Sequence, residues 1–169
     1  MSGKLIILYC ACCILMLLVV AAAYPFKNEM ASYRGFIWNL TIEDFKNAPV
    51  LRKLFGYGQE TVMGRYFELY YDQMKSVTGV IYDNAHCEPL QYLNTTGVFG
   101  LISYLAVVFS LFTRMAKKIK QTPEICMLLV PALAYFIQSF VNIAQSATTP
   151  IFFLILALGF ATLSSEEKQ

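Results

Sequence analysis

The only histidine in the chain, His86, stands in the run from Tyr82 to Tyr104 (YDNAHCEPLQYLNTTGVFGLISY), where a polar segment gives way to an apolar, glycine-dotted stretch. Imidazole is the side chain that exchanges protons near neutrality. A polar ring at the mouth of a membrane segment is a functional candidate by position, because such sites rarely hold one without a reason. A purely structural role is the competing reading. Asp83, three residues earlier, is placed to orient the ring. A second candidate surface is the aromatic segment Tyr66, Phe67, Leu69, Tyr70 and Tyr71, with Glu68 and Asp72 interleaved. Aromatic faces beside carboxylates suit sugar rings, which combine C–H faces with hydroxyl rims. Anchoring at a membrane interface explains the same residues.

The elements that must position these groups follow from composition. Of 169 residues, 57% are hydrophobic and 14% charged, and the mean hydropathy is +0.54. The apolar residues are gathered into blocks: Leu5–Ala23, Gly97–Thr113 (with Leu93–Thr96 at the interface), Ile125–Ala144 and the shorter Pro150–Leu163. Blocks of this length predict an all-α integral membrane protein with about four transmembrane helices. The last block needs Ser164 and Ser165, or local thinning of the bilayer, to reach across. Between the second and third blocks, Arg114, Lys117, Lys118 and Lys120 face Glu124 alone, which puts that short loop on the cytoplasmic side. Residues 24–94 then form a long extracytoplasmic loop and 145–149 a short outer turn, with the C-terminus inside. Three regions result: 1–23, a first membrane helix; 24–94, the outer loop; and 95–169, a three-helix membrane region. Lys4 and Ala21-Ala22-Ala23 also fit a cleaved signal segment, with the same orientation of the loop.

The outer loop is too long for a plain connection and predicts short helices. Ser32 is expected to cap a helix through Ile37, Trp38, Leu40 and Ile42, ended by Ala48-Pro49. Gly56-Tyr57-Gly58 predicts a tight turn. The loop's seven Lys/Arg and eight Asp/Glu nearly balance, and nothing in a formal charge of +2 calls for nucleic acid. Glu43, Asp44 and Asp83 read as solvated charges, with a catalytic acid as the alternative. Cys10, Cys12 and Cys13 fall in the first block and Cys126 opens another, so Cys87 has no partner for a disulfide within the loop. One histidine cannot complete a Cys/His zinc set. Pro131 predicts a kink in the third span, and Gln138 and Asn142, four apart, are expected on one helix. The sequons at Asn39 and Asn94 read as chance matches.

Three segments together resemble the O-antigen ligases and related Wzy-type polymerases. SYRGFIWNLTIEDFKNAPVLRKLFGYGQET is similar to a stretch in which an R-G-x-x-W element precedes a G-x-G turn. DNAHCEPLQYLNTTGVFGLISYL resembles the family's Ala-His-Asn-x-x-Leu-Gln element leading into a glycine-spaced helix, and ATTPIFFLILALGF its last helix. The resemblance implies a GT-C-like, metal-independent glycosyltransferase of the bacterial cytoplasmic membrane that needs no cofactor. Its donor would be an undecaprenyl-diphosphate-linked glycan and its acceptor a lipid or glycan hydroxyl. His86 would be the base, and Arg34 would match the diphosphate with a planar fork of donors. Arg65 is the second cation, and Tyr57, Tyr66, Tyr70 and Gln91 are the expected substrate contacts. Cys87 replaces the family's Asn after the histidine. The resemblance covers only the family's C-terminal portion, so the expectation is a truncated product, a fragment, or one half of a split protein whose partner chain carries the earlier spans. The competing expectation is a non-catalytic multi-pass membrane protein.

Overall fold

The computed structural model describes residues 25–166, with side chains to residue 163. The first apolar block, Leu5–Ala23, and Cys10, Cys12 and Cys13 lie outside the described residues. Among those described the chain is helical throughout: α1 Met30–Asn47, α2 Val50–Phe55, α3 Thr61–Thr78, α4 Glu88–Lys118, a 3-10 turn Pro123–Ile125, α5 Cys126–Gln138 and α6 Thr148–Glu166.

Helices α1 to α3 form a cap. Regular helix in α1 starts only at Arg34, because Ala31, Ser32 and Tyr33 are left-handed (φ 52°, 57° and 65°). The expected Ser32 cap is therefore not made, and the N-cap position falls on Glu29, with no side-chain hydrogen bond. The break at Ala48-Pro49 is present: Ala48 is extended (ψ 147°) and Pro49 precedes α2. One face of α1, with Phe36, Ile37 and Leu40, closes against Val62, Tyr66 and Met74 of α3. Its Trp38 turns instead toward Ala85, Cys87 and Leu90, a small apolar cluster that joins the cap to the head of α4.

Helices α4 to α6 form a bundle around Leu105, Val108, Met115, Ala132 and Phe152. Helix α4 is long and apolar enough to cross a membrane; the segments Pro123–Gln138 and Thr149–Leu163 are shorter apolar helices. From Gly97 to Lys118, α4 rises roughly 30 Å, about the thickness of the hydrocarbon core. The third apolar block does not give one long helix, since α5 ends at Gln138. Asn142 consequently lies beyond the helix, where its Oδ1 accepts from the Ile143 N–H. Gln138 and Asn142 do not share a helical face. Pro131 sits inside α5, but the pronounced backbone break of the bundle is at Gly97 in α4.

That break fastens cap to bundle. Gly97 (φ 71°, ψ −172°) and Gly56 (φ 74°, ψ −175°) both occupy a region essentially closed to side chains. A Cβ on Gly97 would collide with the Leu54 carbonyl, and one on Gly56 with the backbone of Thr95. Interrupting α4 also frees carbonyls from its hydrogen-bond ladder. Two of them are taken up across the joint: the Tyr57 N–H donates to Asn94 O and the Gly58 N–H to Thr95 O, each at 2.9 Å. The expected Gly-Tyr-Gly turn is thus half of a two-glycine contact.

Candidate functional site

At the joint a cavity of about 310 Å³ opens between the start of α3, the loop before α4 and the segment after α5. Its walls include Glu60, Asp83, His86, Glu88, Gln91 and Thr95. The loop bearing His86 is pinned from three directions. Asn84 Oδ1 accepts from the His86 N–H at 2.9 Å, Gln91 Oε1 accepts from the Ala85 N–H at 3.0 Å, and Trp38 Nε1 donates to His86 O at 3.3 Å. These bonds hold His86 at φ 48°, in the left-handed region. Histidine enters that region more readily than most residues, but in a rigid loop it still stores strain, which gathers at functional sites. Glu60, with φ 58°, is also left-handed and lines the same cavity.

The His86 ring packs edge-on against Tyr82, with centroids 5.2 Å apart. Its buried Nδ1 has no hydrogen-bond partner among the described residues. Asp83 does not orient it as expected; its Oδ1 accepts from the neighbouring Asn84 Nδ2. Burial, then the positive charge of Arg34, lowers the imidazole pKa below its ordinary 6.5, with Asp83 acting in the opposite sense. The ring is therefore held neutral, the form that accepts a proton. Arg34 itself donates from a terminal nitrogen to Val141 O, beyond α5. The short R-G-x-x-W element thus does three jobs. Arg34 brings charge near His86, Gly35 lets the Lys27 carbonyl approach where a Cβ would collide, and Trp38 supports the loop.

Four of the expected substrate contacts belong elsewhere. Arg65, Tyr57, Tyr66 and Tyr70 do not line the cavity. Arg65 pairs through two nitrogens with Asp44, Nε to Oδ2 at 3.0 Å, and lies 3.5 Å over the Tyr57 ring. Tyr70 OH donates to the same carboxylate at 3.5 Å. Asp44 is only 3% exposed, so it is no solvated loop charge; Glu43 beside it is exposed. Tyr66 is fully buried and shares a hydrogen bond with the Thr41 hydroxyl. Burial, its largest influence, pushes the Tyr66 phenol well above 10. This network holds the cap together, away from the cavity.

Cys87 packs in the apolar cluster beside Trp38 and Leu90, and burial pushes its thiol up to about 12. It is a packing residue at physiological pH and makes no side-chain cap for α4. Asn39 and Asn94 are both committed inside the fold. Asn39 exchanges two hydrogen bonds with the Phe26 backbone, and Asn94 Nδ2 donates to Thr41 O at 3.2 Å.

Glu88 is the site residue that sequence reasoning passed over. It is 3% exposed and lines the cavity, and among the described residues neither carboxylate oxygen has a hydrogen-bond partner. Burial raises the Glu88 pKa above the ordinary carboxylate range; the nearby Ser139 hydroxyl, which donates to Phe136 O, opposes that rise. The Glu88 backbone N–H donates to Ser139 O at 2.8 Å, fixing the head of α4 against the end of α5. A lone acid just ahead of Pro89 at the opening of an apolar run was the available signal.

No family model, curated protein or solved structure matches this chain.

Proposed function

We propose that this chain carries the acceptor-activating part of a membrane glycosyltransferase. It would act in the manner of the O-antigen ligases and Wzy-type polymerases that its sequence resembles, at the outer face of a bacterial cytoplasmic membrane. The observation that carries the reading is the influence of the Arg34 charge on His86. The two residues come from separate elements, and a neutral, strained imidazole on a cavity wall has a guanidinium near enough to depress its pKa. In this reading His86 takes the proton of the acceptor hydroxyl as its oxygen attacks the anomeric carbon. The carbon–oxygen bond to the lipid diphosphate breaks, and Arg34 stabilises the charge that leaves with the diphosphate. Gln91 and Trp38 act as positioning residues, since they hold the loop and not the substrate. A helix of membrane-crossing length at the joint supports placing the cavity near a lipid-borne donor.

The test is glycan transfer in cells carrying the complete assembly. His86→Ala and Arg34→Ala should each lower transfer about 10²–10⁴-fold at unchanged protein level. Near-normal transfer in both variants would sink the proposal and favour a non-catalytic membrane protein.

A further inference from the structure

We propose that Glu88 makes this cavity a receptor for an ammonium group, so that the acceptor moiety it admits bears a free amine. The proposal rests on the glycosyltransferase reading only in calling that ligand an acceptor. A carboxylate withdrawn from water without a partner costs several kcal/mol, and a single cation with hydrogen-bond donors offsets that cost best. Glu88 is such a group: 3% exposed, unpartnered at both oxygens among the described residues, and on the cavity wall. The other ionisable groups on the wall point the same way. Glu60 and Asp83 add negative charge, and among the described residues no Lys or Arg lines the cavity. An acceptor bearing an anionic group would meet Glu60, Asp83 and Glu88 there.

A metal ion is a poorer occupant. Among the described residues no three His, Cys, Asp or Glu side chains gather closely enough to hold one. An ammonium needs only one buried carboxylate, with neutral acceptors such as the Gln91 and Asn84 side chains at the wall. The cavity volume of about 310 Å³ is at the lower end for small-molecule sites and suits a single sugar-sized group.

Two sources could present this chemistry, an amino sugar and an ethanolamine headgroup. The experiment measures binding to the purified full-length chain in nanodiscs of phosphatidylcholine, with glucosamine, N-acetylglucosamine, glucose and ethanolamine as probes. Glucosamine should bind about tenfold more tightly than either neutral sugar, and Glu88→Gln should erase that difference. Glu68→Gln, at an exposed carboxylate away from the cavity, should leave it intact. Ethanolamine binding as well as glucosamine would assign the lipid headgroup to the same ammonium site. Equal affinity for glucosamine and N-acetylglucosamine in the native chain would overturn the proposal whether or not the Glu88 variant folds. So would an amine preference that survives Glu88→Gln in a folded chain. The readout is binding, so loss of the transferase reading leaves it interpretable, and its own failure leaves the His86 and Arg34 transfer test untouched.

Discussion

The cap and the bundle close their interiors by opposite means. In the cap, apolar contacts among Ile37, Tyr66 and Met74 are threaded with polar groups that satisfy one another: Asp44 with Arg65 and Tyr70, Thr41 with Tyr66, and Thr41 O with Asn94. The bundle core from Leu101 to Leu163 is aliphatic and aromatic, and its outer surface is equally apolar, with Ile102, Val107, Val130, Ile137, Leu154 and Leu158 exposed. A helix such as α6, apolar on its outward as well as its inward face, suits lipid surroundings; a polar network suits an aqueous boundary. The difference locates the site. At the joint neither solution is complete, and the unpartnered buried groups there include His86 Nδ1 and both oxygens of Glu88. His86 and Glu88 line the cavity, whereas Tyr104, whose buried hydroxyl in the bundle is also unpartnered among the described residues, does not.

The comparison is broken most directly at the glycine pair. Gly97→Ala forces a side chain into a backbone region that only glycine tolerates and against the Leu54 carbonyl. We expect a cost of about 3 kcal/mol, the upper end for backbone strain, because the collision is with main chain that cannot move aside. The cap should come loose while the bundle persists. Limited proteolysis should cut between residues 48 and 82 far faster than in the native chain, with most helical circular dichroism retained. A native digestion pattern would show that the apolar cluster around Trp38 holds the joint alone.

Within the cap, Arg65→Ala leaves the buried Asp44 carboxylate without its ion pair. Breaking a buried pair from one side costs roughly 3–5 kcal/mol, and partial exposure of Arg65 puts this case at about 2–3. The expected outcome is a lowered midpoint for the cap in thermal unfolding, with the bundle unaffected. Arg65→Lys should recover only part, since it cannot present two nitrogens to Asp44. If Arg65 were instead a substrate contact, transfer would fall with no loss of stability.

What was legible in the sequence follows the same division. Apolar blocks announce α4, α5 and α6 because burial in a bundle depends on composition and length. Ala48-Pro49 and Gly56-Tyr57-Gly58 announce the cap's turns because their backbone constraints are local. Gly97 was read as one more glycine in a membrane helix, and nothing local marks it otherwise. Its left-handed conformation is required by docking with Leu54, more than 40 positions away. Of the residues named from type and order, His86 and Gln91 line the cavity, while Arg34 lies off its wall and donates to Val141 O. The aromatic segment divides: tyrosines beside carboxylates describe a sugar platform and a buried Tyr–Asp–Arg network equally well, and Tyr66 and Tyr70 join the network while Phe67, Leu69 and Tyr71 stay exposed. Burial of Asp44 separates the two, and burial is a property of the fold.

The smallest expected effect tests the joint itself. Because His86 is the only histidine, its imidazole resonances can be followed by NMR through a pH titration without assignment of any other residue. Burial and Arg34 both lower its pKa in the folded chain, and Asp83 raises it. The midpoint should lie below 6.5, move upward in Arg34→Gln and move further down in Asp83→Asn. The sign carries over to stability. With the folded pKa below the unfolded one, the unfolded chain binds more protons between the two values. Stability is therefore full above about 6.5, declines as pH falls through that value and levels off below the folded pKa. A midpoint at or above 6.5, unmoved by Arg34→Gln, would mean that Arg34 and His86 do not share the joint. The cap would then be a support for the bundle with no base of its own.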